Sequence, residues 1–215
     1  MSGLNYYVID TETTGLMANY HEIFEISIIR VSDKVQLSRK IKVKNPKNAS
    51  LEALQITGKN ISDLYYGESP SKVIEDINNF FNQDGGDANA RCILAHNAPF
   101  DQRHLHAMWT TYSSNFPANY WLCTMKLFKQ YQKDKCIVKA AAKLPDACAA
   151  FNINKAEGIH NAKSDSRNTY FLWLELQKNT NYLKEIKRIP HLLKGQSDSF
   201  NTNEKEELLE ELNGA

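Results

Sequence analysis

Two carboxylates stand two residues apart near the start of the chain, Asp10 and Glu12, directly after the short apolar run of residues 6–9. Alternate side chains of a β-strand point to the same face, so a strand here would bring both carboxylates to one metal cluster. The alternative is a polar strand end that leads into a turn at Gly15. The pair alone therefore predicts either a metal site or an ordinary turn.

A second acidic segment, residues 96–101, lies where a predicted strand passes into a predicted helix. Asp101 falls in the first turn of that helix, where the helix dipole favours a negative charge. The same residues also fit helix capping, with Asn97 as the cap and Pro99 in the first turn. Taken alone, the segment indicates a helix start and does not require a function.

A histidine and a carboxylate form the third candidate, because His160 and Asp165 are five residues apart. On a continuous helix that spacing would turn the two side chains about 140° away from each other. For both to face one site, His160 must lie in the loop before the helix and Asp165 inside the helix. This arrangement suits a mobile general base, whereas a surface or capping histidine is the alternative.

The composition is that of a globular domain, with 26 basic and 25 acidic side chains and 42% apolar residues. No stretch approaches the roughly 20 apolar residues of a membrane-spanning helix, and the N-terminal residues lack the pattern of a signal peptide. The four cysteines form no Cys-x-x-Cys pair, which favours reduced, mostly buried thiols over disulfides or zinc. We therefore expect a cytoplasmic protein without a membrane partner.

The elements that would position these side chains follow from hydrophobic periodicity and from turn and cap residues. Strands are predicted at residues 6–9, 23–31, 35–43, 91–95 and 121–123. Helices are predicted after Ser69, after Pro99, and at residues 144–151 and 162–177. The order βββαβαβαα indicates an α/β fold with a mixed five-stranded sheet flanked by helices. Residues 1–195 are expected to form one domain, and residues 196–215 an acidic linker or tail with a possible short helix.

Considered together, the three segments resemble the motifs of the DEDDh group of 3′-to-5′ exonucleases in the DnaQ-like superfamily. Asp10 and Glu12 stand in Ile-Asp-Thr-Glu-Thr-Thr-Gly-Leu, and Asp101 ends Ala-His-Asn-Ala-Pro-Phe-Asp. His160 precedes Asp165 by five residues, which resembles the histidine branch rather than the tyrosine branch. The resemblance covers about residues 5–178, and its last stretch is most similar to the exonuclease X subgroup of bacterial DNA repair nucleases.

The resemblance implies an RNase H-like fold and hydrolysis of DNA from the 3′ end to nucleoside 5′-monophosphates, in repair or proofreading. Two divalent ions, Mg²⁺ with Mn²⁺ able to substitute, would be held by the four carboxylates, and His160 would be the general base. Among the substrate-binding residues it implies, Thr13 would hold the 3′-hydroxyl, Leu16 would wedge against the base, and Asn97 would also contact the nucleotide. An RNA-trimming exonuclease is the alternative, since the same residues serve both nucleic acids in the superfamily.

Charge is unevenly distributed, since residues 120–195 carry 14 basic and 6 acidic side chains. These basic residues fit either a surface that follows the phosphate backbone of a single strand or a plain solvated helix face. The lysines concerned are Lys126, Lys129, Lys133, Lys135, Lys139 and Lys143.

Two further partners are considered from the sequence. Residues 196–200 weakly resemble a sliding-clamp or polymerase-binding peptide with Phe200 as its anchor, although a disordered linker is the simpler explanation of the same residues. A non-catalytic module that binds nucleic acid or a polymerase is the alternative from another functional class, and the complete set of four acids and one histidine argues against it.

Overall fold

A mixed six-stranded sheet forms the centre of the structure, a computed structural model that describes residues 3–137, 141–153, 161–191 and 193. The strands are β1 (Asn5–Thr13), β2 (Ile23–Arg30), β3 (Gln36–Lys40), β4 (Arg91–Ala95), β5 (Tyr120–Cys123) and β6 (Lys187–Arg188). Their spatial order is β3-β2-β1-β4-β5-β6. The pairs β1–β4 and β4–β5 are parallel, and the other pairs are antiparallel. This is the α/β fold that the order of elements predicts.

Six α-helices flank the sheet within the described residues. They are α1 (Leu51–Thr57), α2 (Pro70–Asn82), α3 (Ala98–Thr111), α4 (Thr124–Asp134), α5 (Leu144–Ala150) and α6 (Ala162–Asn179). Helices α2 and α3 pack on one face of the sheet, whereas α4, α5 and α6 pack on the other. The sheet is therefore the middle layer of three.

The alternation of side chains along β1 sends consecutive residues to these two different layers. Ile9 packs in the cluster that contains α2 and α3, and Val8 packs in the cluster that contains α4, α5 and α6. Because side chains repeat every two residues in a strand, Asp10 and Glu12 continue the face of Val8, and Thr11 continues the face of Ile9. The two carboxylates thus share the α6 side, as their spacing predicts.

The predicted number of five strands is wrong, because β6 adds a sixth at the edge. This strand has two residues, which pair with Tyr120 and Trp121 of β5. So short a segment carries no periodicity that a sequence pattern could reveal. The third strand is also shorter than predicted, since it ends at Lys40 and Ile41 instead bridges to Glu68.

The predicted domain boundary and tail, residues 196–215, lie outside the described residues and stay a prediction.

Of the four cysteines, three are buried and free, whereas Cys136 is exposed and free. Among the described helices, none is both long and apolar enough to span a bilayer.

Candidate metal-dependent active site

Three carboxylates meet at the end of β1 on its α6 side. One carboxylate oxygen from each of Asp10, Glu12 and Asp165 lies within 4.8 Å of the others. Asp10 and Glu12 are adjacent on one strand face, and Asp165 comes from the first turn of α6, which packs against β1 and β2. The structure therefore brings together two of the predicted motifs.

The start of α6 is fixed by a cap and by a buried hydroxyl network. Asn161 accepts a hydrogen bond from the Ser164 amide at 2.9 Å, which satisfies an otherwise free donor of the first turn. One residue after Asp165, the Ser166 hydroxyl donates to the Ser27 hydroxyl of β2 at 2.9 Å. The amide of Gln36 also donates to Ser27, at 3.0 Å. These bonds set the register of α6 on the sheet and hence the position of Asp165.

Asp101 reaches the same strand from the opposite helix layer. Its Oδ1 accepts hydrogen bonds from the Thr11 amide at 3.1 Å and from the Thr11 hydroxyl at 2.8 Å. The residue is 3% exposed. Asp101 is not part of the 4.8 Å group. Among the charged groups that act on Asp10, however, Asp101 raises the pKa of Asp10 the most. The fourth carboxylate thus stands beside Asp10, and it is held there through Thr11.

The site concentrates negative charge where little water can screen it. Burial raises the pKa of Asp10 well above its usual value, and the charge of Asp101 raises it further. Burial raises the pKa of Glu12 to about 8, with a further increase from Asp165. Burial also raises the pKa of Asp101 to about 7, although the hydrogen bonds from Thr11 act in the opposite direction. The ionised carboxylates repel one another unless a cation lies among them.

This donor set fits a hard divalent cation. All of the clustered donors are carboxylate oxygens, which Mg²⁺, Mn²⁺ and Ca²⁺ favour, whereas zinc and copper favour histidine and cysteine. Burial disfavours the charged form of these carboxylates and so raises their pKa values. A bound cation would stabilise the charged form of each carboxylate. The acidic cluster can therefore bind metal.

Glu25 is an additional buried carboxylate that the sequence interpretation did not include in the site. It lies on β2 directly opposite Glu12, and its charge raises the pKa of Asp10 and Glu12. The charge of Lys59 lowers the pKa of Glu12. The only available signal for Glu25 was its position in a segment, residues 25–27, that takes part in the family resemblance.

A pocket of about 130 Å³ opens beside the carboxylates, between the end of β1 and α1. Thr13, Leu16 and Phe100 are among its lining residues. The Thr13 hydroxyl donates to the Gly15 carbonyl at 2.8 Å, so only its lone pairs remain available to a ligand. Leu16 is 72% exposed and is therefore accessible to a ligand. The pocket thus has an apolar wall and a hydrogen-bond acceptor close to the carboxylates.

Asn97 lies at the N-cap position of α3, with a positive φ of 71°. Its side chain is exposed and makes no capping hydrogen bond, so the interpretation of Asn97 as a side-chain cap is wrong. Asparagine tolerates this left-handed backbone conformation better than most residues. The side chain is left free to contact a ligand.

His160 lies outside the described residues, so its predicted role stays a prediction. Another histidine near the site, His96, is partly buried, with Nε2 2.9 Å from the Ala142 carbonyl and Nδ1 3.1 Å from the Thr124 hydroxyl. Burial lowers the pKa of His96, the charge of Asp165 raises it, and the charge of Lys129 lowers it. The charges of Asp165 and Lys129 thus act on His96 in opposite directions.

Comparison with known proteins identifies the family. The sequence model of the RNase_T exonuclease family matches residues 7–172, which is more than half of the chain. No curated protein sequence matches the chain significantly.

Several solved structures share the fold. Cell-death related nuclease 4 has a TM-score of 0.69 at 12% identity, over 97% of this chain and 78% of its own. The nuclease domain of 3′hExo, a DEDDh family member solved with rAMP, has a TM-score of 0.66 at 14% identity, over 88% and 98%. E. coli exonuclease I, solved with a 5cy-dA13 oligonucleotide, has a TM-score of 0.64 at 16% identity. That match covers 82% of this chain and 41% of exonuclease I.

At these identities the structural matches establish the fold, whereas the sequence model establishes the family. The motifs, the sheet and the carboxylate cluster are all consistent with it. The chain belongs to the RNase_T family of exonucleases, within the DnaQ-like DEDDh superfamily.

Proposed function

We propose that the protein removes nucleoside 5′-monophosphates from the 3′ end of DNA, using two Mg²⁺ ions for which Mn²⁺ can substitute. The observation that carries this proposal is the meeting of Asp10, Glu12 and Asp165 within 4.8 Å, with Asp101 tethered beside them through Thr11. Two divalent ions would stabilise the charge on the attacking and leaving oxygens of the phosphodiester. Four carboxylates around one strand end supply the ligands for such a pair.

The two helix layers divide the ligands between the ions. Asp10, Glu12 and Asp165 would hold one ion, because their oxygens already lie together. Asp10 and Asp101 would hold the other, because the hydrogen bonds from Thr11 hold Asp101 against the strand residue that follows Asp10. Asp10 would accordingly contact both ions, which makes it the least replaceable of the four residues.

The proton of the attacking water would pass to His160. An ordinary histidine pKa near 6.5 leaves the side chain mostly neutral at cellular pH, as a general base requires. The position of His160 directly before Asn161, the cap of α6, places it in the chain next to the turn that carries Asp165. As a base outside the metal ligands, His160 would affect the rate and not the affinity for metal.

The pocket beside the carboxylates would receive the terminal nucleotide. A 3′-hydroxyl can donate to Thr13, whose own proton is used in the bond to Gly15. The exposed Leu16 would contact the base, and such apolar contact does not depend on sequence. Asn97 would supply a polar contact at the start of α3. Together these residues would hold a free chain end next to the metal ions.

A single-stranded DNA substrate is the main proposal, and RNA trimming is the alternative. Related structures include exonuclease I with a dA13 oligonucleotide and a 3′-exonuclease that recognises the histone mRNA stem-loop. The resemblance to the exonuclease X subgroup favours DNA repair or proofreading as the setting. A contact of residues 196–200 with a sliding clamp or polymerase is a weaker proposal that depends on Phe200. A decayed, purely binding module is disfavoured, because all four carboxylates are present.

One degradation assay tests substrate, polarity and metal together. DNA and RNA oligonucleotides of the same sequence, single- and double-stranded and labelled at the 5′ end, are incubated with the protein in Mg²⁺, in Mn²⁺ or in EDTA. We expect a ladder of shortened, labelled DNA products in either metal, no products in EDTA, and nucleoside 5′-monophosphates by chromatography. Immediate release of a labelled mononucleotide would indicate the opposite polarity, and faster loss of RNA would favour the alternative.

A further inference from the structure

His104 is a buried histidine of α3, one turn after Asp101, and none of the roles described above uses it. It is 2% exposed. Its Nε2 lies 3.1 Å from the Gly15 carbonyl, in the loop after β1, and its Nδ1 lies 3.0 Å from the Phe100 carbonyl. Asp101 and His104 thus tether the same helix to two successive parts of the β1 segment.

The hydrogen bond to Gly15 restrains the exposed Leu16. The Gly15 carbonyl accepts from His104 and also from the Thr13 hydroxyl at 2.8 Å, and this carbonyl belongs to the peptide bond that leads into Leu16. The Met17 amide donates to Nδ1 of His21 at 3.0 Å, which holds the other side of the same residue. An apolar side chain surrounded by solvent has little packing to hold it, so its position depends on these backbone contacts.

The conformation of Gly15 contributes to the same restraint. Its φ is 157°, and a Cβ atom built at this position would lie 2.6 Å from the ring of His21. The His21 ring therefore packs directly on the Gly15 backbone, which only glycine allows. The loop is closely packed at Gly15.

His104 also contacts the second apolar wall of the pocket. The rings of Phe100 and His104 have their centroids 4.5 Å apart, a distance typical of favourable ring packing. Phe100 and Leu16 line the same pocket. One buried side chain thus supports both apolar residues that would face a terminal base.

The donor that matters is the N–H on Nε2. A neutral imidazole carries one N–H, and a carbonyl can only accept. The Phe100 carbonyl lies four residues before His104 in α3 and already has a helical partner in the amide of His104. In the tautomer with the proton on Nε2, His104 donates to the Gly15 carbonyl. Glutamine could replace this donor, whereas leucine could fill the space without donating.

We propose that His104 is a positioning residue that fixes Leu16 and Phe100 as the two walls around the 3′-terminal base. This inference rests on the proposed exonuclease function. It predicts that His104 sets how strongly the enzyme depends on a terminal base, and that the hydrolytic step itself does not require it. The chemical group recognised is the flat, apolar face of any nucleobase.

The test compares two substrates that differ only at the 3′ terminus: an oligodeoxynucleotide ending in an ordinary nucleotide and one ending in an abasic residue. Wild type, His104→Leu, His104→Gln and the control Trp109→Phe are compared by single-turnover kinetics over a range of enzyme concentrations. Trp109 is a matched control because it is fully buried in α3, its indole donates to Asn78, and it is not among the residues that line the pocket. Melting temperatures report on the fold of each variant.

We expect the abasic terminus to lower the efficiency of wild type by roughly 5- to 100-fold, the range of base stacking on a side chain. In His104→Leu this penalty should shrink to about threefold or less, and the concentration for half-maximal rate on the ordinary substrate should rise about tenfold. His104→Gln should recover most of the penalty, because it restores the donor. Trp109→Phe should lower the melting temperature and keep the full penalty.

Two results would overturn the inference alone. The first is a folded His104→Leu variant that keeps the wild-type penalty for the abasic terminus. The same holds for a His104→Gln variant that keeps this penalty although its crystal structure lacks the Gly15 contact. The second is a fall in the maximal rate with the penalty unchanged, which would make His104 a structural residue. If His104→Leu does not fold, His104→Gln decides, because its abasic penalty must be kept where its crystal structure shows the Gly15 contact and must be reduced where that contact is absent. Failure of wild type to degrade either substrate would instead remove the proposed function, and with it this inference.

Discussion

The carboxylate of Asp101 accepts two hydrogen bonds from a single residue of the central strand, the amide and the hydroxyl of Thr11, at 3.1 and 2.8 Å. Thr11 faces α3, while Asp10 and Glu12 on either side of it face α6. The strand therefore carries two proposed metal ligands on one face and anchors a third carboxylate from the other layer. Thr11 fixes the position of Asp101 beside the cluster of Asp10, Glu12 and Asp165.

Replacing Thr11 by valine tests this anchor, because valine keeps the shape and the amide but removes the hydroxyl. A hydrogen bond to a charged group contributes about 1.5–3 kcal/mol, so we expect roughly a tenfold or greater loss of activity. The pKa of Asp101 should also rise, since the bonds from Thr11 lower it. The pH needed for half-maximal rate should therefore increase at sub-saturating Mg²⁺, where protons compete with the metal for the carboxylates.

The control for this variant is Thr111→Val, in the helix that carries Asp101. The Thr111 hydroxyl donates to the Ala107 carbonyl at the exposed end of α3. It should keep the wild-type rate and pH profile. Equal behaviour of Thr11→Val and Thr111→Val would show that the Asp101 anchor has no role in activity.

The hydroxyl network under α6 should position Asp165. Ser166→Ala removes the donor to Ser27, which keeps its hydrogen bonds with Ser38 and Gln36, so we expect a loss of about 0.5–1.5 kcal/mol in the free energy of unfolding. We expect a lower melting temperature and a higher Mg²⁺ concentration for half-maximal rate. Both are measured against Ser71→Ala at an exposed position of α2. A Ser166→Ala variant with an unchanged Mg²⁺ titration would disconnect this network from the metal site.

A pair of histidines at the sheet edge should make the fold sensitive to acid. The rings of His106 and His191 lie 4.6 Å apart, and burial lowers the pKa of His106 to about 4, with a further decrease from the His191 charge. Because the ordinary value is 6.5, the unfolded chain binds the proton more readily between pH 6.5 and 4, and stability falls as pH decreases through this window. The contribution of His106 should reach at most about 3 kcal/mol.

Urea denaturation at several pH values between 7 and 4 measures this effect. His106→Phe keeps a ring at the position and removes the proton, so its stability should decrease less over that range than the stability of wild type. If the free energy of unfolding falls equally with pH in the two proteins, His106 does not titrate differently in the folded and unfolded states.

The exposed lysines of α4 should contribute to substrate affinity. Lys126, Lys129 and Lys133 lie on one side of the helix and are exposed, and no ion pair involves them among the described residues. Replacing all three by glutamine should lower the slope of log affinity against log salt concentration by about 2, since each phosphate contact on a single strand contributes about 0.7. The matched control replaces Lys34, Lys72 and Lys178, which lie elsewhere. An identical salt dependence for both triple variants would support the plain solvated face.

Much of the site could be predicted because it depends on local rules. The alternation along a strand placed Asp10 and Glu12 together, and the start of a helix with Pro99 in its first turn placed Asp101. The prediction for the third motif is tested only for Asp165, which lies in the first turn of α6, because His160 lies outside the described residues.

Features that depend on distant contacts were not predictable. Helix α1 exposes Leu51 and Ile56, so it lacks a periodic apolar face, although Ser50 as its cap and Gly58 with a φ of 63° were available signals. The loop from residue 84 to 89 matched no family pattern. In the structure, the Asp84 carboxylate accepts hydrogen bonds from the Arg91 guanidinium and from the Tyr7 hydroxyl. Tyr7 and Asp84 are 77 residues apart in the sequence.

The most direct test of the carboxylate assignment is the rate of Asp10→Asn on a 5′-labelled single-stranded oligodeoxynucleotide in Mg²⁺. Asparagine keeps the size of the side chain but removes the charge that both ions would share. We predict no shortened products above background, together with a melting temperature in EDTA that equals or exceeds that of wild type, because the substitution relieves repulsion. A rate within tenfold of wild type in a folded Asp10→Asn protein would contradict the assignment of this cluster as the active site.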